Sequence, residues 1–475
     1  DEETRVFWKT HGLIDFHIVG EGEEAFTHMV DALISAGMDV RAIKAERKLL
    51  PNCHYAMGDE IVTGPMLPRL TLSDIPSPYL MGLMDKFFDE NLGPMIHTTR
   101  GCPFKCSFCT EGAAYYNVVE QRHEGLRQEM HYIASRVRGP RDLYITDANF
   151  GMFQQDVGKA EIIAECQKEY GYPQYMHVST GKNKKERVIE IAKMLGGALN
   201  LAASLQSTDA QVLANISRSN ISLEKLSDVG LQANKADTGT YSELILGLPG
   251  DSLAAHRQSL RDVVEANFGN IRMYQLIMLP QTELNTPENR RKFQMRSMHR
   301  IMPRSFGCYR LAGRDFVAVE SEEVLVENST LPFDDYLTCR EMDLTVEILH
   351  NGKVYSELQG LCKIYGLSWF DFILRFFDKR RTYSAELRQM YDEFKASHSV
   401  RLWATRRELE ESVARNIDVM LHDDRGTNEM SMAKATAFFK LFEPINTILF
   451  NELASWLDER NQLDDSTRFF LEEYR

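Results

Sequence analysis

Between positions 95 and about 302, short apolar runs of β type alternate with stretches whose apolar residues recur at helical spacing. The runs fall at 95–99, 143–146, 175–179, 199–206, 242–246 and 271–279. The helical stretches fall near 123–137, 158–170, 184–195, 209–216 and 252–266. Six strands, each followed by a helix or crossover, imply a parallel sheet, and the segment's length suits a six-unit partial (βα)6 barrel better than eight units. A doubly wound open sheet has the same periodicity and stays open as a rival. Before this region, Val6-Phe7-Trp8 to Val19-Gly20 reads as a strand ending in a glycine turn, with a helix from about 23 to 36. This is the remnant of an α/β domain. Six prolines between 50 and 94, with no periodicity, read as a linker with short turns. After 302 only 316–319 and 324–326 alternate as strands. Long helical patterns follow at 337–349, 355–364, 369–377, 385–394, 408–421 and 432–442, the last continuing past Pro444 to 457. Their apolar stripes are most simply core faces. The expected division is 1–70, an α/β remnant plus linker; 71–305, the barrel; and 306–475, a mainly helical carboxy-terminal domain.

Composition changes this picture little. Of 475 residues 43% are hydrophobic and 26% charged, which is ordinary globular composition. No apolar run reaches the ~20 residues of a membrane span, and nothing at the amino terminus reads as a secretion signal. The net charge of −14 argues against nucleic acid as the main partner. The expectation is a cytoplasmic protein with no membrane and no nucleic-acid partner. Eight cysteines are too few for a disulfide framework, and three crowd into Cys102-Pro-Phe-Lys-Cys106-Ser-Phe-Cys109. Three thiols from one loop suit a metal ion or an iron–sulfur core, since each thiolate is a strong, soft ligand. A structural zinc site would want a fourth ligand, for which His97 and His123 are available. The loop follows a strand in a barrel-like series, where carboxyl strand ends carry chemistry.

This C-x-x-x-C-x-x-C loop after the first barrel strand resembles the signature of the radical S-adenosylmethionine (SAM) superfamily. The resemblance implies that Cys102, Cys106 and Cys109 hold a 4Fe-4S cluster whose open iron chelates SAM. Reductive cleavage of SAM then yields a 5'-deoxyadenosyl radical. It also implies SAM contacts. Phe108 would lie against adenine. Gln206 and Ser207, in Ser204-Leu205-Gln206-Ser207-Thr208-Asp209, would approach the ribose, and Arg218 would pair the SAM carboxylate. Leu246, in Glu243-Leu244-Ile245-Leu246-Gly247, would help shape the adenine pocket. Many members follow the second strand with Gly-Gly-Glu. Here the run is Ile145-Thr146-Asp147-Ala148-Asn149, and Asp147 becomes the candidate acceptor for the SAM amino group.

Plainer readings stand beside each. Phe108 could be a core residue, Asp147 and Asn149 turn or cap residues, and Gln206 and Ser207 a turn before a helix at Asp209. Arg218 could be a solvated residue.

Val19-Gly20-Glu21-Gly22-Glu23-Glu24 and the segment 74–79 resemble the join between a cobalamin-binding domain and the radical SAM barrel. Most of that cobalamin fold would be missing here. Asp15-Phe16-His17-Ile18-Val19-Gly20 spells the D-x-H-x-x-G of a cobalt-ligating histidine, but the later elements of that pattern are absent at family spacing. His17 reads better as a strand-end residue, and cobalamin binding stays open. The remaining cysteines show no clustered spacing and read as free thiols, with Cys308 close enough behind the barrel to face the site.

The resulting expectation is a radical SAM enzyme with a 4Fe-4S cluster, SAM and, in intact relatives, cobalamin. It would functionalise an unactivated carbon of a small-molecule or natural-product substrate, with methyl transfer first and cobalamin-independent hydrogen abstraction or rearrangement second. The electron donor would be of flavodoxin or ferredoxin type. From another class, a non-catalytic zinc-binding interaction protein is the alternative.

Overall fold

The computed structural model describes residues 5–474 apart from positions 6, 10, 90, 123, 182, 236–238 and 423–426. Packing divides the chain into two compact units, 1–84 with 120–129, and 85–119 with 130–475.

In the first unit, β1 (His17–Ile18), β2 (Cys53–Met57) and β3 (Glu60–Thr63) form an antiparallel sheet in the order β1-β2-β3. The helices Glu23–Ser35 and Val40–Ala45 lie between β1 and β2 in the chain. The second begins at Asp39, whose carboxylate accepts from the Arg41 and Ala42 amides. Ala32, Ile43, Leu50 and Cys53 make one small core, and Trp8, Tyr55 and Val62 another. Two expectations are corrected. Positions 7–9 are helical rather than extended, which lets Phe7 meet His11 one turn on and also His17. The supposed linker opens with the β2–β3 hairpin, whose turn uses Gly58 at φ +62°.

The second unit contains six parallel strands: β4 (Met95–Ile96), β5 (Asp142–Ile145), β6 (Tyr175–His177), β7 (Leu201–Gln206), β8 (Thr240–Leu246) and β9 (Asn270–Gln275). They form two three-stranded sheets, β4-β5-β6 and β7-β8-β9, every pair parallel. Among the described residues a single bridge, Met176 with Leu199, joins the two sheets. Beyond it side chains replace a strand partner. The Thr180 hydroxyl bonds both the N–H and the C=O of Ala202, and Lys185 Nζ donates to the same carbonyl at 2.7 Å. Arg218 donates to the carbonyl of Ser204. The helix Leu126–Ala134, whose first residues are counted with the first unit, precedes β5, and the other intervening helices are Gln155–Tyr170, Lys185–Met194, Ala210–Asn215, Leu223–Lys235 and Leu253–Glu265. The fold is therefore mixed α/β. Position 123, expected to open the first of these helices, lies outside the described residues.

The free edge of β9 is met by Asn351, whose side chain accepts from the Ile271 N–H at 2.8 Å and donates to its C=O at 2.9 Å. Next come β10 (Arg296–Leu311) and β11 (Arg314–Glu327), one long hairpin whose two-residue turn, Ala312-Gly313, has both φ angles positive. Sequence reading found only fragments of it, because its register is marked by charge. Arg296 faces Glu327, Arg300 faces Glu322 and Arg310 faces Asp315, each as an ion pair. The helix Arg406–Met420 packs Leu409, Val413 and Ile417 against this hairpin. The other helices from Phe333 onward pack in the same unit as the parallel sheets. The expected run through Pro444 is two helices, Glu429–Phe439 and Phe442–Glu459, with the proline in the first turn of the second, where its missing N–H costs nothing.

A buried polar chain crosses this unit. His256 Nε2 lies 2.7 Å from Asp343, Arg340 donates to the other Asp343 oxygen at 2.8 Å, and Arg340 Nε donates to His398 at 3.2 Å. Burial and the Arg340 charge push His398 down to about 3, so it serves as a neutral acceptor. Burial also works against the His256 cation, but Asp343 and Asp251 outweigh it and raise its pKa. A raised folded pKa contributes stability that is complete below the unfolded value and lost as pH climbs through the folded one. Replacing His256 by Asn should therefore lower urea stability most below about pH 6.5, by about 1–3 kcal/mol, and progressively less above it. Urea midpoints of both proteins across pH 5 to 9 check this, and a difference that grows with pH would contradict it.

Candidate active site at the cysteine loop

The loop that leaves β4 is fixed at both ends by close backbone approach. Gly101 has φ +95°, and a Cβ there would overlap the carbonyl of Val118; a Cβ on Gly112 would overlap the carbonyl of Cys106. Between them the main chain is tied down. Cys102 N–H donates to Tyr116 O at 2.8 Å, Ser107 N–H to Ile216 O at 3.1 Å, and Leu284 N–H to Ser107 O at 2.8 Å. Asn117 donates to the carbonyls of Cys102 and Phe104.

Beneath the loop lies a buried set of charges. Asp147 Oδ1 accepts from the amides of Thr98 at 2.8 Å and Thr99 at 2.9 Å, and its other oxygen accepts the Thr98 hydroxyl. Lys159 donates to Thr98 O, Thr99 Oγ1 and Asp156, the last at 3.0 Å. Asp156 in turn accepts the amides of Gly151 and Phe153. The ends of β4 and β5 are thus locked together by side chains.

Two nitrogen donors approach the sulfurs. Asn149 Nδ2 is 3.2 Å from Cys102 Sγ, and Arg218 Nη1 is 3.7 Å from Cys106 Sγ. Arg218 Nε also donates to Asn220, whose amide holds the carbonyls of Leu205 and Ser207, so the end of β7 is linked to the cysteine loop. Cys102 and Cys106 are buried and Cys109 is partly so. Three buried side-chain atoms of this neighbourhood, Ser107 Oγ, Asn149 Oδ1 and Gln206 Oε1, have no hydrogen-bond partner among the described residues. Such atoms cost about 1–3 kcal/mol each unless a ligand meets them. Three thiols with N–H donors at two of them, plus polar atoms awaiting partners, fit an iron–sulfur cluster with a polar organic ligand beside it. Among the described residues no three His, Cys, Asp or Glu side chains close to the spacing of a single metal ion. A four-iron cluster takes its thiolates on separate irons and does not demand that spacing. Of the supposed fourth zinc ligands, His97 Nε2 lies 2.9 Å from Thr99 O, and His123 is outside the described residues.

No protein-family model matches the chain. The cobalamin-dependent radical SAM methyltransferase TokK of Streptomyces tokunonensis is 33% identical over 363 residues, 73% of this chain and 50% of the relative. The 2-(S-pantetheinyl)-carbapenam-3-carboxylate methyltransferase of Streptantibioticus cattleyicolor is 31% identical over 358 residues, again 73% and 50%. The chain belongs to the cobalamin-associated branch of the radical SAM superfamily. It spans about half the length of the curated relatives it matches. Among solved structures, the radical SAM methyltransferase TsrM from Kitasatospora setae has TM-score 0.46 and 17% identity, covering 60% of this chain and 55% of that one. The cobalamin-dependent enzyme OxsB has TM-score 0.47 and 11% identity, covering 89% and 67%.

The other residues singled out from the radical SAM resemblance fall in different places. Arg218 is buried rather than solvated. Gln206 ends β7 at φ +67°. The Ser207 hydroxyl accepts from the Asp209 amide and lies 3.4 Å from that of Ser259. Phe108 is partly buried against the core formed by Val212, Ile216 and Leu248. Leu246 is fully buried against Val324 and Tyr336. Asp147 has both oxygens engaged by Thr98 and Thr99. Cys308 is exposed on β10, opposite Val317. His17 packs among the rings of Phe7, Trp8 and His54.

Sequence reading missed Lys159, Asp156, Asn220 and Lys185. Lys185 is buried, and burial together with the nearby Arg218 charge pushes its pKa down to about 8. The one available signal was Asn220 two residues after Arg218.

Gly112→Ala should fold with a displaced Cys106, because backbone rather than a movable side chain meets the new methyl. Its melting temperature should fall, with a cost of about 1–3 kcal/mol, and Cys106 should react faster with a thiol reagent, read by peptide mapping. Unchanged labelling at Cys106 would show that the loop yields elsewhere.

Proposed function

We propose that this chain is the core of a radical SAM enzyme in which Cys102, Cys106 and Cys109 hold a 4Fe-4S cluster with SAM beside it. The intact protein would transfer a methyl group to an unactivated carbon of a small-molecule or natural-product substrate. The observation that carries the reading is the three-thiol loop at the carboxyl end of β4, with nitrogen donors at two sulfurs and unpaired buried atoms at Ser107, Asn149 and Gln206. A bound cluster would supply the single electron that cleaves the sulfonium. Six parallel strands in chain order, the two sheets joined by one bridge, support the further proposal of a partial (βα)6 barrel.

In this reading the protein's own residues bind and orient. Arg218 offers its guanidinium to the SAM carboxylate, Gln206 Oε1 accepts from a ribose hydroxyl, and partly buried Phe108 lies against adenine. Ser207 fixes the turn behind them. Asp147 positions the loop through Thr98 and Thr99, and reaches the SAM amino group only by sharing an oxygen already in use. Leu246 supports the site from behind.

The curated relatives are named as methyltransferases, which favours methyl transfer. The antiparallel sheet of the first unit does not fit a corrin site, which in α/β folds lies at the carboxyl ends of parallel strands, so no step is routed through cobalamin. Cobalamin-independent hydrogen abstraction or rearrangement is the second reading. No converging ligand set among the described residues supports the zinc alternative. A reducing, cytoplasmic location, in keeping with three thiols crowded into one loop, and an electron donor of flavodoxin or ferredoxin type complete the proposal.

After anaerobic reconstitution with iron and sulfide, Cys106→Ala should release no 5'-deoxyadenosine from SAM. Cys166→Ala, a buried thiol in the helix Gln155–Tyr170, should keep nearly the parent rate. Parent-level SAM cleavage by Cys106→Ala would overturn the assignment.

A further inference from the structure

On the last strand of a parallel sheet, alternate residues turn both their backbone N–H and their C=O away from the sheet. Two contacts fix which residues of β9 do so. Asn351 holds both groups of Ile271 from outside, and the Leu276 N–H turns inward to Leu246 O at 2.9 Å. Ile271, Met273 and Gln275 therefore face outward. Asn351 closes this edge at one end, and β11 closes it at the other through the bridge of Ile277 with Val324. Between those stops the outward groups of Met273 and Gln275 have no partner among the described residues. Gln275 is buried, where an unpaired backbone donor and acceptor are costly.

This stretch opens into a cavity of about 540 Å3 that runs from Asn270 and Asn351, at the amino end of β9, to Gln275 and Ile277 at its carboxyl end. Small-molecule sites span about 300–1,000 Å3. The charged groups around the cavity are already matched. Arg272 lies 3.6 Å from Glu243, Arg340 2.8 Å from Asp343, Glu347 2.6 Å from Lys434 and Glu429 3.8 Å from Arg401, and Arg300 pairs with Glu322. An added ion would compete with these pairs, so the lining suits a neutral ligand. What it leaves unmet is a row of backbone donors and acceptors, repeating at about 6.5–7 Å along the strand. One further strand meets that row, provided that it is only about two residues long. Asn351 and β11 keep out anything longer.

We infer that the cavity binds a short, neutral, extended chain of secondary amides, which pairs with the outward backbone of Met273 and Gln275 as a two-residue strand. Half-exposed Tyr274, and the Arg272 guanidinium stacked 4.0 Å over the Tyr241 ring, offer planar surfaces to its side groups. The site uses no residue of the cysteine loop and stands independently of the radical SAM reading.

The test compares N-acetyl-alanyl-alanine N-methylamide with the same compound methylated at every amide nitrogen, each titrated calorimetrically into the full chain. The first should bind about tenfold more tightly or better, because methylation removes the N–H groups that reach the strand carbonyls. Its binding should slow hydrogen exchange at the Met273 and Gln275 amides, and saturating SAM should leave its affinity unchanged. Met273→Pro removes the outward N–H without touching the ladder to β8 and should weaken the first compound about tenfold. Ser431→Trp places a large ring on the cavity wall and should abolish binding; it serves if the proline variant fails to fold. Equal affinities for the two compounds, binding of neither, displacement by SAM, or folded variants that bind like the parent would each overturn the proposal. The radical SAM reading is tested separately, by release of 5'-deoxyadenosine.

Discussion

Asp147 stands two residues past β5, and its carboxylate takes two consecutive backbone amides at the end of β4 together with the Thr98 hydroxyl. A strand of two residues has little ladder of its own to hold its direction. Without that carboxylate, two buried N–H groups would lack partners at about 1–3 kcal/mol apiece. Lys159 and Asp156 extend the arrangement, joining Thr98 and Thr99 to the turn at Gly151 and Phe153. The direction in which the chain enters the cysteine loop follows from these contacts, and so do the places where the thiols meet Asn149 and Arg218. A carboxylate that reads as a ligand contact in the sequence is thereby a structural anchor in the fold.

The second organising constraint is the gap between β6 and β7. A parallel ladder would satisfy the carbonyls of Ala202 and Ser204 by backbone. Here Thr180, Lys185 and Arg218 do so with side chains. Of the cationic groups that satisfy this strand edge, Arg218 also lies 3.7 Å from Cys106 Sγ, so one side chain serves both the end of β7 and the cysteine loop.

What could be read from the sequence follows the physics of each element. The six strands of the second unit are apolar on at least one face, and their runs stood out at nearly the right positions. The three cysteines carried a spacing that needs no tertiary knowledge, whereas Arg218 was singled out only by the resemblance of its segment to radical SAM enzymes. The β10–β11 hairpin was hidden because Arg–Glu and Arg–Asp pairs, not an apolar face, set its register. The β2–β3 hairpin was too short to alternate visibly among prolines. Phe7 and Trp8 suit a strand by composition, and only packing on His11 and His17 reveals the helical turn. Lys185 could not have been found this way: a lysine opening a helix reads as solvated, and its burial comes from a gap between strands that no local pattern encodes.

Asn351 has one more consequence. A parallel sheet that ends in β9 presents a row of unpaired amides and carbonyls, the geometry on which a foreign strand can add itself and on which fibrillar assembly begins. The Asn351 side chain imitates a strand residue by bonding both backbone groups of Ile271, while Leu276 and Met278 are taken by the Leu325 and Glu323 positions of β11. Only the middle of β9 is left unprotected at its edge, too short a stretch for a templated strand to grip. One amide side chain and the base of one hairpin thus act as a guard against self-association.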